Sequence, residues 1–278
     1  MVISWYPGHM RKATRELKRI VKESQVIIEL VDARAPQSSA NPTLMDLTGG
    51  LPKVTVLTKG DLANQDTTEQ WKKFIEKNSK TRCLVNDHHN PISTRILLKE
   101  LDSLLRNSPS PTKQRQIIIT GVPNVGKSTL LNSLIGRKVA NTGNEPAITR
   151  AQQRIKLEQG WYLVDTPGLL WPKLENQENA KILACIGTIK NTAVDIEEIG
   201  WFLAETLRLE YPKVLKIRYD MNEVPQSVES LFESVAQKTG SLQKKGRPDY
   251  FKVSQVLLND FRSGRLGRLS LEQPQQKY

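Results

Sequence analysis

The segment Gly121-Val122-Pro123-Asn124-Val125-Gly126-Lys127-Ser128 restricts the fold of this chain more than any other. It fits the G-x-x-x-x-G-K-[ST] pattern of a phosphate-binding loop, follows the apolar run Ile117-Ile118-Ile119, and leads into Thr129-Leu130-Leu131-Asn132-Ser133-Leu134, which suits a helix. Glycines let backbone N–H groups approach phosphate oxygens at a helix N-terminus. Lys127 can neutralise the β and γ oxygens, and the Ser128 hydroxyl can ligate Mg²⁺. Asn124, Val125, Gly126, Lys127, Ser128 and Thr129 are therefore the expected phosphate-binding positions.

A strand, a phosphate loop and a helix in that order belong to a parallel α/β sheet, and the remaining apolar runs agree. They lie at Val26 to Val31, Val54 to Leu57, Cys83 to Val85, Gln116 to Thr120 and Tyr162 to Val164, mostly separated by segments long enough for helices. Asn107-Ser108-Pro109-Ser110-Pro111-Thr112 cannot continue a helix and reads as a link between two parts of the nucleotide domain. Residues 8–24 carry Met10, Ala13, Leu17, Ile20 and Val21 at helical spacing among Arg and Lys, predicting an amphipathic helix with a basic face. Beyond about Trp171 the strand-like runs give way to helical patterns. One starts with Asp195 and Glu198 as a capping box; another follows Pro248, carries Tyr250, Val253, Leu257 and Phe261, and stops at Gly264. At 278 residues the chain exceeds a usual single domain of roughly 100–200 residues. Two domains are expected: an α/β nucleotide domain over 1–172 and a smaller all-helical one over 173–278.

Asp165-Thr166-Pro167-Gly168 follows the run Tyr162-Leu163-Val164, which puts an acid at a strand end where it can hold Mg²⁺ and an amide, that of Gly168, where it can sense a γ-phosphate. The polar loop Gly143 to Arg150 lies where a first switch belongs, with Thr149 offering a hydroxyl to Mg²⁺ and Thr142 as the competing choice. Lys127, Thr149 and Gly168 form the expected catalytic set, and Ser128, Thr149 and Asp165 the expected metal ligands.

Guanine differs from adenine in presenting two adjacent donors on one edge, which a single carboxylate accepts together. Asp61 in Thr58-Lys59-Gly60-Asp61 has that capacity, at the end of the run Val54-Thr55-Val56-Leu57, and the Lys59 stem can cover the base. Thr58 replaces the Asn more usual in GTPases. Asn86-Asp87-His88-His89 stands where a further base loop belongs but matches one poorly, and a metal role for the two histidines is disfavoured. The base motif precedes the phosphate loop and the acid motif, the reverse of an ordinary GTPase. A circular permutation explains this order and places the acid-motif switch directly before the helical domain.

Lys and Arg number 41 against 29 Asp and Glu, a net charge of +12 that favours polyanions. No run of about 18 apolar residues occurs, and the opening Met1-Val2-Ile3-Ser4-Trp5 lacks the apolar core of a secretion signal, so a cytosolic protein without a membrane partner is expected. Cys83 and Cys185, too few for a zinc site or disulfide framework, are expected as buried thiols.

Trp5 to Met10, Asp32-Ala33-Arg34-Ala35-Pro36, Gly121 to Thr129, Asp165 to Lys173 and Phe261 to Arg268 together resemble the ribosome biogenesis GTPase A family, circularly permuted GTPases that assist late assembly of the large (50S) ribosomal subunit. The resemblance spans both domains. It implies GTP and GDP as ligands with Mg²⁺, hydrolysis stimulated by ribosomal particles, and the large subunit and its rRNA as partner; no DNA partner and a monomer are expected. Leu169 occupies the position of the water-orienting Gln of many GTPases and cannot hydrogen-bond. The resemblance implies His9 as its substitute, although a His beside Gly8 could equally cap or pack the helix. Asn124 matches the loop Asn of GTPases that bind K⁺, or only shapes the loop. Lys244, Lys245, Arg247, Arg262, Arg265 and Arg268 are suited to phosphate contacts in the RNA-binding module that the resemblance implies. An RNA-binding scaffold that uses GTP only as a structural or regulatory ligand is the alternative.

Overall fold

The computed structural model describes residues 15, 17–77, 81–106, 115–136, 153–166 and 176–274. Strands β1 (Val26–Asp32), β2 (Lys53–Thr58), β3 (Thr81–Val85), β4 (Gln116–Gly121), β5 (Gln153–Lys156) and β6 (Tyr162–Asp165) form one sheet in the order β3-β2-β1-β4-β6-β5. All neighbours are parallel except β5, which runs antiparallel to β6. The residues of β1 are buried throughout, as a strand covered on both faces must be.

Alternation along β1 divides the core. Ile28 and Leu30 join Val54, Val56, Ile117 and Ile119 on one face, under helix α4 (Thr94–Leu105) and α5 (Lys127–Ile135). That cluster continues without a break into the helical part of the chain. On the opposite face, Ile27 and Ile118 pack with Leu17 and Ile20, while Val31, Leu57 and Cys83 pack under Trp71 of α3 (Gln65–Glu76). Two short helices, α1 (Pro36–Ser39) and α2 (Leu44–Thr48), fill the crossover from β1 to β2.

The helical part comprises α6 (Gln177–Cys185), α7 (Ile196–Glu210), α8 (Pro212–Tyr219), α9 (Val228–Thr239) and α10 (Tyr250–Arg262). Asn176, Asp195, Ser227 and Asp249 cap the starts of α6, α7, α9 and α10 through side-chain oxygens, each cap worth ~1 kcal/mol. Asp195 thus caps its helix as the sequence predicts, and Glu198 also pairs with Lys181 of α6 at 3.0 Å. After α10 the chain turns back and residues 264–272 run beside Arg34, Leu62 and Asn64. Leu266 and Leu269 are buried on the way.

Several expectations are corrected here. The sheet is not wholly parallel: Gln153–Lys156 forms an antiparallel edge strand, missed because Gln153-Arg154-Ile155-Lys156 carries one apolar residue. The helix expected over 8–24 ends by Val21, where Lys22 and Glu23 turn and the Ser24 hydroxyl donates to the Ile20 carbonyl; its earlier residues lie mostly outside those described. Arg262 does not face outward. It donates from Nε to the Cys185 carbonyl and from Nη2 to the Ala184 carbonyl, at 2.9 and 2.7 Å, covering the C-terminal end of α6. Lys244, Lys245, Arg247, Arg265 and Arg268 are exposed as expected. Both cysteines are buried and free. Among the described residues no helix is long and apolar enough to cross a membrane. The Asn107 to Thr112 link lies outside the described residues.

Candidate nucleotide-binding site

From β1 the sheet grows one way through β2 and β3 and the other way through β4 and β6, so the strand order reverses between β1 and β4. Ligands of open α/β sheets bind at the carboxyl ends of strands beside such a reversal. Asp32, Thr58, Gly121 and Asp165 are the last residues of their strands there, so the fold alone gathers the base motif, the phosphate loop and the acid motif at one edge.

Gly126 takes φ +99° at the N-cap of α5, a left-handed conformation that bulkier residues resist, and it starts the helix whose free N–H groups face the phosphate site. Lys127 is buried, with its Nζ bonded to Asp165 Oδ1. Burial pushes the Asp165 carboxyl up and Lys127 opposes that push. The other carboxylate oxygen, Oδ2, is buried with no hydrogen-bond partner among the described residues. An orphaned anionic oxygen on a buried carboxylate, with Ser128 half-buried in the helix that Lys127 starts, fits a site for a hard divalent cation, and Ser128 and Asp165 are the described residues that would hold Mg²⁺.

At the base motif, the Thr58 hydroxyl lies 2.6 Å from the Val125 carbonyl and 3.0 Å from the Val31 carbonyl, tying the motif to the phosphate loop. Lys59 has φ +56°, unusual for a residue with a side chain, and its Nζ is held 2.8 Å from Asp32 Oδ2. Asp32 is fully buried and accepts two further bonds from the Arg34 guanidinium, both at 2.9 Å. Burial pushes the Asp32 carboxyl up, but Arg34 and Lys59 outweigh it and hold the group well below the usual carboxylate range. A Cβ on Gly60 would meet Val85 Cγ1 at 2.7 Å, so the motif lies flat against the end of β3. Gly60 donates to the Asn86 carbonyl at 3.1 Å, and the His88 amide reaches Asp61 Oδ1 at 3.3 Å. The Asn86 to His89 loop, a poor match in sequence, is thereby set beside Asp61.

The site touches the helical part of the chain directly. Asn124, at φ +58°, donates from Nδ2 to the Gly187 carbonyl just beyond α6, at 2.9 Å. His9, Thr142, Thr149, Gly168 and Leu169 lie outside the described residues. The roles of Asp32 and Arg34 were not deduced from sequence, although opposite charges at the end of a buried strand, just before a proline, are a legible signal.

Residues 116–206 match the family described as 50S ribosome-binding GTPase. Over 99% of its length the chain is 37% identical to the ribosome biogenesis GTPase A of Bacillus licheniformis, covering 99% of that protein, and over 98% of its length 30% identical to the one from Thermotoga maritima, covering 95%. The chain belongs to the ribosome biogenesis GTPase A family. The GNP-bound crystal structure of YlqF from T. maritima superposes with a TM-score of 0.68 at 26% identity, covering 95% of this chain and 99% of that one. A GDP-bound YlqF structure fits equally well, with a TM-score of 0.68. The fold is accordingly that of a circularly permuted GTPase, and the family assigns guanine-nucleotide binding and GTP hydrolysis in ribosome biogenesis. Thr58 to Asp61 and Asn124 to Thr129 lie at the carboxyl edge of the sheet.

Proposed function

We propose that this GTPase binds the immature large (50S) ribosomal subunit in its GTP form through basic surfaces, hydrolyses GTP as the particle matures, and leaves with GDP. The observation that carries this reading is the chain path between Asp165 and Gly187. Asp165 is bonded to Lys127 of the phosphate loop, and Gly187, reached after α6, accepts a hydrogen bond from Asn124 of the same loop. Rearrangement at the γ-phosphate therefore acts on both ends of the segment leading into the helical domain, whose exposed Lys244, Lys245, Arg247 and Arg268 suit a phosphate backbone.

In this proposal Asp61 reads the guanine edge and Lys59 covers the base, while Lys127 and the amides from Asn124 to Thr129 cradle the phosphates. Ser128, Asp165 and Thr149 would hold Mg²⁺, which would supply positive charge at the phosphate oxygens when bound. The Gly168 amide senses the γ-phosphate, His9 orients the attacking water in place of Leu169, and Asn124 ligates K⁺. The protein acts in the cytosol as a monomer, with rRNA as its main contact. Purified protein should associate with large subunits more tightly with a non-hydrolysable GTP analogue than with GDP at fixed salt, and Lys127→Ala should abolish particle-stimulated turnover. Equal association in the two nucleotide states would defeat the switch, and turnover surviving Lys127→Ala would defeat the assigned phosphate site.

A further inference from the structure

We infer that residues 264–272 form a strap that positions the guanine-reading loop, so that discrimination between guanine and related bases depends on a segment far from it in sequence. The inference rests on the reading of Thr58 to Asp61 as the base site.

The strap touches the loop on both sides of its recognition residues. Leu269 donates its N–H to the Leu62 carbonyl at 3.0 Å, immediately after Asp61, and the Ser270 hydroxyl accepts from the Asn64 N–H at 3.2 Å. Gly264, at φ +77°, lies so close that a Cβ there would meet Leu62 Cδ2 at 2.7 Å. On the side of Lys59, Leu271 donates to the Arg34 carbonyl at 2.7 Å, and the Arg34 guanidinium stacks 4.9 Å from the Phe261 ring centroid. Arg34 in turn orients Asp32, which holds Lys59.

The strap is fixed at its own end as well. The Tyr211 hydroxyl donates to the Ser270 carbonyl at 2.6 Å, Trp71 Nε1 donates to the Glu272 carbonyl at 3.2 Å, and the Glu272 carboxylate accepts from the amides of Gln37 and Ser38. Lys59 adopts a left-handed backbone that persists only where its surroundings over-determine it. Bonds from a single chain segment to Leu62, Asn64 and Arg34 supply that determination. These residues are positioning residues: none reaches the base, and they act through Asp61 and Lys59.

The test is the ratio of GDP to IDP affinity. IDP lacks the 2-amino group, so Asp61 gains one hydrogen bond from it where it gains two from GDP, and the ratio reports how well that carboxylate is aimed. In the full chain, Ser270→Ala combined with Tyr211→Phe removes the acceptor for Asn64 and the hydroxyl anchoring Ser270. This variant should lower the GDP-to-IDP ratio by about tenfold, the equivalent of one misdirected charge-assisted bond. Partial misfolding lowers both affinities alike and leaves the ratio unchanged. An unaltered ratio, whether both affinities fall together or neither changes, overturns the strap. Asp61→Asn in the parent should collapse GDP preference. If it does not, the base-site reading fails rather than the strap geometry.

Discussion

Replacing Asp32 by Asn alters one atom and tests the centre of the base site. The carboxylate accepts the Arg34 amide at 3.0 Å and Arg34 Nε at 2.9 Å on Oδ1, and Arg34 Nη2 at 2.9 Å and Lys59 Nζ at 2.8 Å on Oδ2. An asparagine must turn its NH₂ toward one of these pairs, leaving two donors facing a donor. At ~1.5–3 kcal/mol for a bond to a charged group, the loss is ~3–6 kcal/mol. Removing one partner of a buried pair separately gives ~3–5 kcal/mol, because Arg34 remains buried without its counter-ion. With a urea slope of ~2 kcal/mol/M, the unfolding midpoint should fall by about 1.5–2.5 M at pH 7. The folded-state pKa of Asp32 is depressed, so its contribution is fully present above the unfolded value of about 3.9 and is lost as pH falls through the folded value. The gap between parent and variant should therefore stay flat from about pH 8 to 5 and narrow below about pH 4. A loss under about 1 kcal/mol at pH 7 would refute the argument, showing that solvent reaches the triad. Adding Arg34→Met to Asp32→Asn should recover part of that stability, since the fully buried guanidinium is then gone while Lys59 can still reach solvent.

Thr58→Val keeps the shape but leaves the Val125 carbonyl without its hydroxyl; it should cost ~1–3 kcal/mol and weaken nucleotide binding, and unchanged urea unfolding would disprove the bridge. Burial pushes the Cys83 and Cys185 thiols up to about 12, so neither should react with a thiol reagent at pH 8 in the native state, whereas both should in denaturant; labelling of folded protein would contradict this. In Gly200→Ala the new Cβ would lie 2.2 Å from Ser254 Oγ, forcing α7 and α10 apart by about 1 Å and lowering stability by ~3 kcal/mol. Ser254→Gly should recover part of that loss in thermal unfolding, and an unchanged melting temperature in the single variant would refute the close crossing.

The phosphate half of the site was legible because its chemistry is local: Gly121 to Ser128 sits between an apolar run and a helix, and the strand–loop–helix follows. Strands β1, β2, β3, β4 and β6 were visible for the same reason, as apolar runs bounded by turns. β5 was not, since an edge strand with Arg154 and Lys156 exposed has little apolar pattern. Arg262 misled because a basic residue at the end of a helix reads alike whether it faces solvent or caps a neighbouring helix. Asp32, Arg34 and residues 264–272 carry no periodicity that links them, and only the folded chain brings Leu269 to Leu62. Sequence could therefore single out Asp61 as a candidate but could not say what holds it.

The central place of β1 also sets when the site can exist. A chain emerging at ~5–20 residues per second completes β1, β2 and β3 before Lys127 has been made, and Asp165 follows later. Through that interval the nascent protein has the Thr58 to Asp61 loop without the Gly121 to Ser128 loop beside it, and Arg34 has yet to meet Phe261. Residues 264–272 arrive last of the parts that touch the loop. If residues 264–272 position that loop as inferred, discrimination among bases is acquired near the end of synthesis, and a truncated chain would differ from the finished one first in which nucleotide it prefers.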